Sequence, residues 1–291
     1  MTRKQPLLRK IQVTEATIAV WEWEGEGVPI FLVHATGMHG RCWDRIVEAL
    51  PGRKIFAVDV RGHGWSSCPP PPYLWSHLAR DITEVVERLA LERTVGVGHS
   101  MGGHLLVRSA ASQPSLFDRL LLLDPALLPP DVLEVLGASD DLFRPLRRSV
   151  RWTSANEMAA YLRDRGGFSN WDRRVLDDYC RYGLRPSPYG EWFDLACPPE
   201  IERAVYIGET EMDIYELLRS VDIPVHIVRA RSHTEDGSPP DFFDSATWPQ
   251  LVNEFRNATE VHLTESTHVF PMEQPGLAAA LIAACADGAL R

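Results

Sequence analysis

The sequence predicts an α/β protein with a doubly wound, mostly parallel sheet and a helical cap inserted behind the strand that ends at Asp124. Three observations carry this. Short, continuous apolar runs recur along the chain, as in strands covered on both faces. Helix-spaced apolar residues lie between them, the alternation that builds a parallel sheet. After Asp124 the alternation stops, and strand-like runs resume only at Val225.

Taken in order, Met1 to Lys10 carries Arg3, Lys4, Arg9 and Lys10 and reads as a solvated lead-in. A secretory signal would continue into a long apolar stretch, whereas Gln12, Thr14 and Glu15 follow, so a cytoplasmic protein is expected. Thr17 to Glu24 alternates like a half-buried strand, while Val28 to His34, Lys54 to Val60, Thr94 to Gly98, Leu120 to Asp124 and Val225 to Ala230 read as buried strands. Leu78, Ile82, Val85, Val86 and Leu89 fall on one helix face, as do Leu105, Leu106 and Ala110. From Pro129 to Val221 only helices are expected: one opened by the capping box Ser154–Glu157, one over Asn170 to Tyr182 stopped by Gly183, and two over Pro198 to Val205 and Met212 to Leu218. Leu277 to Cys285 suits a closing helix packed on the sheet. The expected division is therefore a core of residues 1–128 and 222–291 with a cap of 129–221. The cap is rich in aromatics, among them Trp152, Tyr161, Phe168, Trp171 and Tyr179. For each the ordinary role is cap core, but as a group some should line an apolar pocket.

Composition removes several function classes. Of 291 residues, 45% are hydrophobic and 24% charged, ordinary for a globular chain. Lys plus Arg is 30 against 40 for Asp plus Glu, a net charge of −10, the wrong sign for a phosphate-binding surface, so no nucleic-acid partner is expected. No apolar run approaches the length of a membrane span. The five cysteines form no CxxC pair, and neither HExxH nor a Cys/His cluster offers a metal site; no metal and no cofactor is expected. Neither charge runs nor heptads mark a protein partner, and the oligomeric state is left open.

The sharpest motif is Gly98-His99-Ser100-Met101-Gly102, between a strand and a helix. A serine in so tight a turn needs small neighbours, so that strand and helix can approach, and Gly98, Gly102 and Gly103 supply them. The turn lifts the hydroxyl clear of the sheet and aims the Met101 amide and the helix N-terminus at a reacting oxygen. Dinucleotide and triphosphate loops fail here: Met101 stands where the third small residue is needed, and no Gly-Lys-Ser/Thr follows.

Three further stretches join it in chain order: Val33-His34-Ala35-Thr36-Gly37, Asp59-Val60-Arg61-Gly62-His63-Gly64-Trp65-Ser66, and Thr267-His268-Val269-Phe270-Pro271-Met272-Glu273-Gln274-Pro275. Together they resemble the α/β-hydrolase superfamily nearly end to end, in its HGxxG-type, DxRGHGxS, GxSxG and GHFPxxExP motifs, with Ala35 in place of a usual glycine. The resemblance implies the α/β-hydrolase fold with a helical cap inserted after the sixth strand. It makes Ser100 the nucleophile, His268 the base, and the amides of Thr36 and Met101 the oxyanion hole. His63, His99, His104, Asp59 and Arg61 receive scaffold roles. The acid is less direct. The commonest family position, after the strand at Val225, holds His233, with Glu235, Asp236 and Asp241 following. Some branches carry the acid after the sixth strand, where Asp124 stands; Asp124 is preferred over Glu235 and Asp236.

The resulting expectation is a serine hydrolase cleaving a small carboxylic ester or lactone with an apolar or aromatic part. Rival readings are the same triad acting on a C–C bond, thioester or amide, and a non-catalytic small-molecule receptor on the same fold. Serine at the elbow argues against dehalogenase and epoxide hydrolase chemistry, whose enzymes use aspartate there.

Overall fold

The computed structural model describes residues 5–137, 149–209, 211–232 and 243–290. The first half of the chain lays down β1 (Leu7–Gln12), β2 (Thr17–Trp23), β3 (Glu26–Val33), α1 (Asp44–Glu48), β4 (Arg53–Asp59), α2 (Trp75–Arg88), β5 (Thr94–His99), α3 (Met101–Ser112) and β6 (Phe117–Leu123). An insertion follows, with α4 (Pro130–Gly137), β7 (Arg151–Trp152), α5 (Ala155–Leu162), α6 (Arg173–Tyr182), β8 (Leu184–Pro186), β9 (Phe193–Leu195), α7 (Pro199–Ile207) and α8 (Ile214–Leu218). Then β10 (Val225–Arg229), β11 (Ala258–His262), α9 (Phe270–Glu273) and α10 (Pro275–Ala286) complete the core.

Eight strands form one sheet in the order β1-β2-β4-β3-β5-β6-β10-β11. The first two join antiparallel, and every later pairing from β4 to β11 is parallel. Side chains alternate across the sheet, and both faces are covered. Leu121 and Leu123 of β6 enter one core with Trp43, Ile46 and Ile282, under α1 and α10. Leu120 and Leu122 enter the other, with Trp75, Leu78 and Leu105 under α2 and α3. Two covered faces explain why these strands read as unbroken apolar runs.

The chain leaves β3 toward β4 on one side and later places β5 on the other. Strand order reverses there, opening a crevice at the carboxyl ends of the strands, the usual ligand site of such sheets. Thr36, Ser100 and Asp124 follow β3, β5 and β6, and His268 lies beyond β11.

Three expectations need correction. The Met1 to Lys10 lead-in contains part of β1, which pairs with β2 from Leu7 to Gln12. Its residues are mostly exposed, so backbone pairing holds it and no apolar pattern announces it. The insertion is not purely helical: β7, β9 and β8 form a small antiparallel sheet. Strands of two or three residues are too short to show a period. The capping box also closes differently. Ser154 Oγ accepts from Glu157 N at 3.1 Å, but the Glu157 carboxylate reaches one residue further back, to Thr153 N at 2.7 Å.

Helices α7 and α8 pack on the sheet's own core. Val205, Ile214 and Leu218 join the cluster of Trp75 and Leu105, and Trp75 Nε1 donates to Val205 O at 2.8 Å. Helices α5 and α6 lean on the opposite face, where Met158, Trp171 and Leu176 join the other core. No helix among the described residues is long and apolar enough to cross a membrane.

Candidate active site

Ser100 links β5 to α3 with φ 53° and ψ −119°, a conformation that costs a non-glycine residue energy. It persists because its surroundings hold it. Ser100 N donates to Leu123 O at 3.1 Å, and Ser100 O accepts from Gly103 N and Ala126 N, each at 3.0 Å. A Cβ on Gly98 would stand 2.4 Å from the Gly102 backbone, and one on Gly102 would stand 2.2 Å from Val33 O. These glycines let β3, β5 and α3 converge on the serine. The tip expected to lie clear of the sheet is nonetheless covered: Ser100 is only 8% exposed.

His268 sits between Ser100 and Asp124. Its Nε2 lies 3.0 Å from Ser100 Oγ, and its Nδ1 lies 2.6 Å from Asp124 Oδ2. Asp124, fully buried, also has a positive φ of 43°. Burial alone would raise its pKa. The hydrogen bond and charge of His268, with donors from Ser245 and Ala230, outweigh burial and hold the carboxyl below its ordinary value. An ionised carboxylate can only accept, so Nδ1 carries the imidazole proton and the Nε2 lone pair faces the serine hydroxyl.

Asp124 accepts from four donors among the described residues. Oδ1 takes Ala230 N at 2.7 Å and Ser245 Oγ at 2.5 Å; Oδ2 takes Ala246 N at 3.1 Å besides His268; Thr247 Oγ1 stands 3.2 Å from Oδ1 and gives its one proton to Pro125 O at 2.8 Å. Ser245, Ala246 and Thr247 went unnoticed in the sequence. They form no motif, and they reach Asp124 because residues 246–248 run beside Leu127, in a bridge between Leu127 and Thr247. The segment after β10 thus supplies donors to the carboxylate. Glu235, Asp236 and Asp241, and His233 with them, lie outside the described residues.

Of the two expected oxyanion donors, Met101 follows Ser100 directly and Thr36 follows β3, whose end meets Gly102. Met101 is the first residue of α3, where no intrahelical partner exists for its N–H. Thr36 lies in the turn after β3 closed by Met38 N to Ala35 O at 3.1 Å. Next to it, Gly37 N donates to His63 Nε2 at 3.1 Å, so the DxRGHG stretch braces this turn. Behind it, Arg61 is paired with buried Asp81 at 2.5 Å, and Asp59 accepts from Gly40 N at 2.6 Å and Trp65 N at 2.8 Å.

Two buried histidines brace the elbow. His99 Nε2 donates to His268 O at 2.8 Å. His104 accepts from Arg108 Nε at 2.9 Å, so its Nδ1–H donates to Ala126 O at 3.1 Å. Burial, helped by His268 and Arg108 respectively, pushes each down to about 3. The unfolded chain takes up protons near pH 6.5 that the folded protein refuses until about pH 3, so stability falls as pH drops through that window. Each should cost about 2 kcal/mol at pH 5 relative to pH 7. Chemical denaturation at a series of pH values checks this; equal unfolding free energies at pH 7 and pH 5 would refute it.

A cavity of about 380 Å³ adjoins the site. Thr36 and Phe243 lie in its wall, and Phe243 O accepts from His268 N at 2.8 Å. Trp152, Tyr161, Phe168, Trp171 and Tyr179 line it, so part of the cap's aromatic set does face a pocket. Tyr182 packs instead over the Arg41 guanidinium, and Tyr189 is exposed. No group of three or more His, Cys, Asp or Glu side chains among the described residues is arranged to hold a metal ion.

Comparison with known proteins gives a consistent picture. The model of the alpha/beta hydrolase family matches residues 30–281. The sn-1-specific diacylglycerol lipase ABHD11 of Danio rerio is 31% identical over 121 residues, 40% of this chain and 38% of that protein. Lipase LipV of Mycobacterium tuberculosis is also 31% identical over 121 residues, 40% of this chain and 46% of the lipase. The chain thus spans less than half the length of these relatives. Among solved structures, E-2-(acetamidomethylene)succinate hydrolase superposes with a TM-score of 0.77 at 23% identity, over 97% of this chain and 99% of that one. The thioesterase domain of the curacin biosynthetic pathway gives 0.72 at 19% identity, over 96% and 100%. At such identities the likeness is one of fold.

Proposed function

Because the chain belongs to the alpha/beta hydrolase family, we propose that it is a serine hydrolase that cleaves a small carboxylic ester or lactone through an acyl-enzyme on Ser100. The observation that carries this reading is the unbroken chain from Asp124 through His268 to Ser100, with contacts of 2.6 and 3.0 Å. In this mechanism His268 Nε2 takes the serine proton as Oγ attacks the carbonyl carbon. The Met101 and Thr36 amides donate to the oxyanion, at about 3 kcal/mol each in the transition state. Asp124 holds the Nδ1–H tautomer and stabilises the imidazolium. The carbon–oxygen bond breaks and the alcohol leaves with the proton from His268; water then attacks the acyl carbon with His268 as base, the bond to Ser100 Oγ breaks, the carboxylic acid leaves and His268 returns the proton to Oγ.

The cavity's aromatic wall supports an apolar or aromatic substrate part. Residues 129–221 are taken as the cap, with α5, α6 and the Glu202 and Tyr206 side chains of α7 enclosing the cavity, while α7 and α8 also pack on the core. A cytoplasmic setting is part of the proposal, supported by five cysteines that are all free.

The test is a panel of activated esters, lactones, thioesters and anilides, run beside labelling with a fluorophosphonate. Turnover of esters or lactones with label on Ser100 is expected. Preferential thioester or anilide turnover would move the substrate class, and label without any turnover would favour a receptor.

A further inference from the structure

We infer that the cavity selects substrates whose apolar part ends in a carboxylate, and that Arg165 holds that carboxylate. The inference deepens the hydrolase reading and rests on it for its kinetic test. Most of the cavity wall is carbon, from side chains such as Trp152, Met158, Leu162 and Phe168. Two ionisable side chains of opposite kind, Arg165 and Glu202, interrupt it.

They come from different elements. Glu202, on α7, lies against the oxyanion turn: a Cβ on Gly37 would be 2.5 Å from Glu202 Oε1. Arg165 follows α5, and its guanidinium carbon lies 3.9 Å from the centroid of Tyr161, which shares the cavity wall. Arg45, Arg61, Arg108 and Arg229 each pair with a carboxylate, whereas Arg165 has no such partner among the described residues. A guanidinium resting on a ring uses one face for the contact. Its N–H edge remains to receive a planar, two-oxygen acceptor.

Arg165 offers the place in the cavity wall where a carboxylate is matched. A monoester of a dicarboxylic acid with an apolar linker fits: the ester carbonyl at the amides, the linker along the aromatic wall, the free carboxylate at Arg165.

The experiment compares the p-nitrophenyl monoester of adipic acid with its uncharged methyl ester counterpart. Wild-type protein is expected to favour the anionic ester in kcat/KM. Arg165→Ala should reduce that preference about tenfold, mainly through KM; Arg165→Glu should reverse it, and Arg165→Lys should keep part of it. No preference in wild type, or an equal preference in Arg165→Ala, would overturn the inference. Binding supplies an arm independent of turnover, because Trp152 and Trp171 in the wall report occupancy by fluorescence. 4-Phenylbutyrate should bind more tightly than 4-phenylbutanamide, and Arg165→Ala should abolish the difference. If neither ester is cleaved while this binding difference is seen, the hydrolase reading fails and the carboxylate site stands. If the amide binds as well as the acid, the carboxylate site fails whatever the esters do.

Discussion

Ser100→Ala is expected to lower kcat by on the order of 10⁴ or more on the best ester of the panel, and to remove fluorophosphonate labelling. The substitution deletes one oxygen, whose contact is with His268 Nε2 at 3.0 Å. The strained backbone is held by Leu123 O, Gly103 N and Ala126 N, none of which involves the side chain. Thermal unfolding should therefore stay close to wild type, so that lost activity reads as lost chemistry. Activity within tenfold of wild type would remove Ser100 from the nucleophile role.

Asp124→Asn should rank second, with kcat reduced by about 10³ to 10⁴. The carboxylate faces donors on every side, and an amide cannot. With its NH₂ at the Oδ2 position, asparagine confronts Ala246 N–H and His268 Nδ1–H. The imidazole then escapes by moving its proton to Nε2, which leaves nothing to accept from the serine. With the NH₂ at Oδ1, it confronts Ala230 N–H at a site where the carboxylate accepted at 2.7 Å. Either way a buried donor loses its acceptor, at about 1–3 kcal/mol of stability. Asp236→Asn and Glu235→Gln serve as controls and should change kcat little. A steep loss in either control with a mild effect of Asp124→Asn would transfer the acid to the segment after β10.

What the sequence made legible here is what is local. The elbow shows in six consecutive residues because steric demand acts between neighbours: Gly98 meets Gly102, and Gly102 meets the end of β3. Buried strands are legible because both faces are covered, as the split of Leu120–Leu123 between two cores illustrates. By contrast β1 is held by backbone pairing with little burial, and β7 to β9 are too short to carry a period. Besides His268, the donors around Asp124 come from residues 230, 245 and 246, and their role depends on tertiary proximity alone. Arg165 is equally silent in sequence. Nothing sets it apart from the other arginines until the fold brings it over Tyr161 in a cavity wall.

The long reach between Asp124 and its donors has a consequence for the protein while it is being synthesised. The elbow and β6 emerge from the ribosome early, carrying Ser100 and the Asp124 carboxylate. The groups that orient the carboxylate and the imidazole it orients emerge more than a hundred residues later. Until β10 docks onto β6 and β11 onto β10, His268 has no place beside Ser100. On the proposed mechanism a nascent or half-folded chain is therefore chemically inert, and catalytic competence arrives with the last strands.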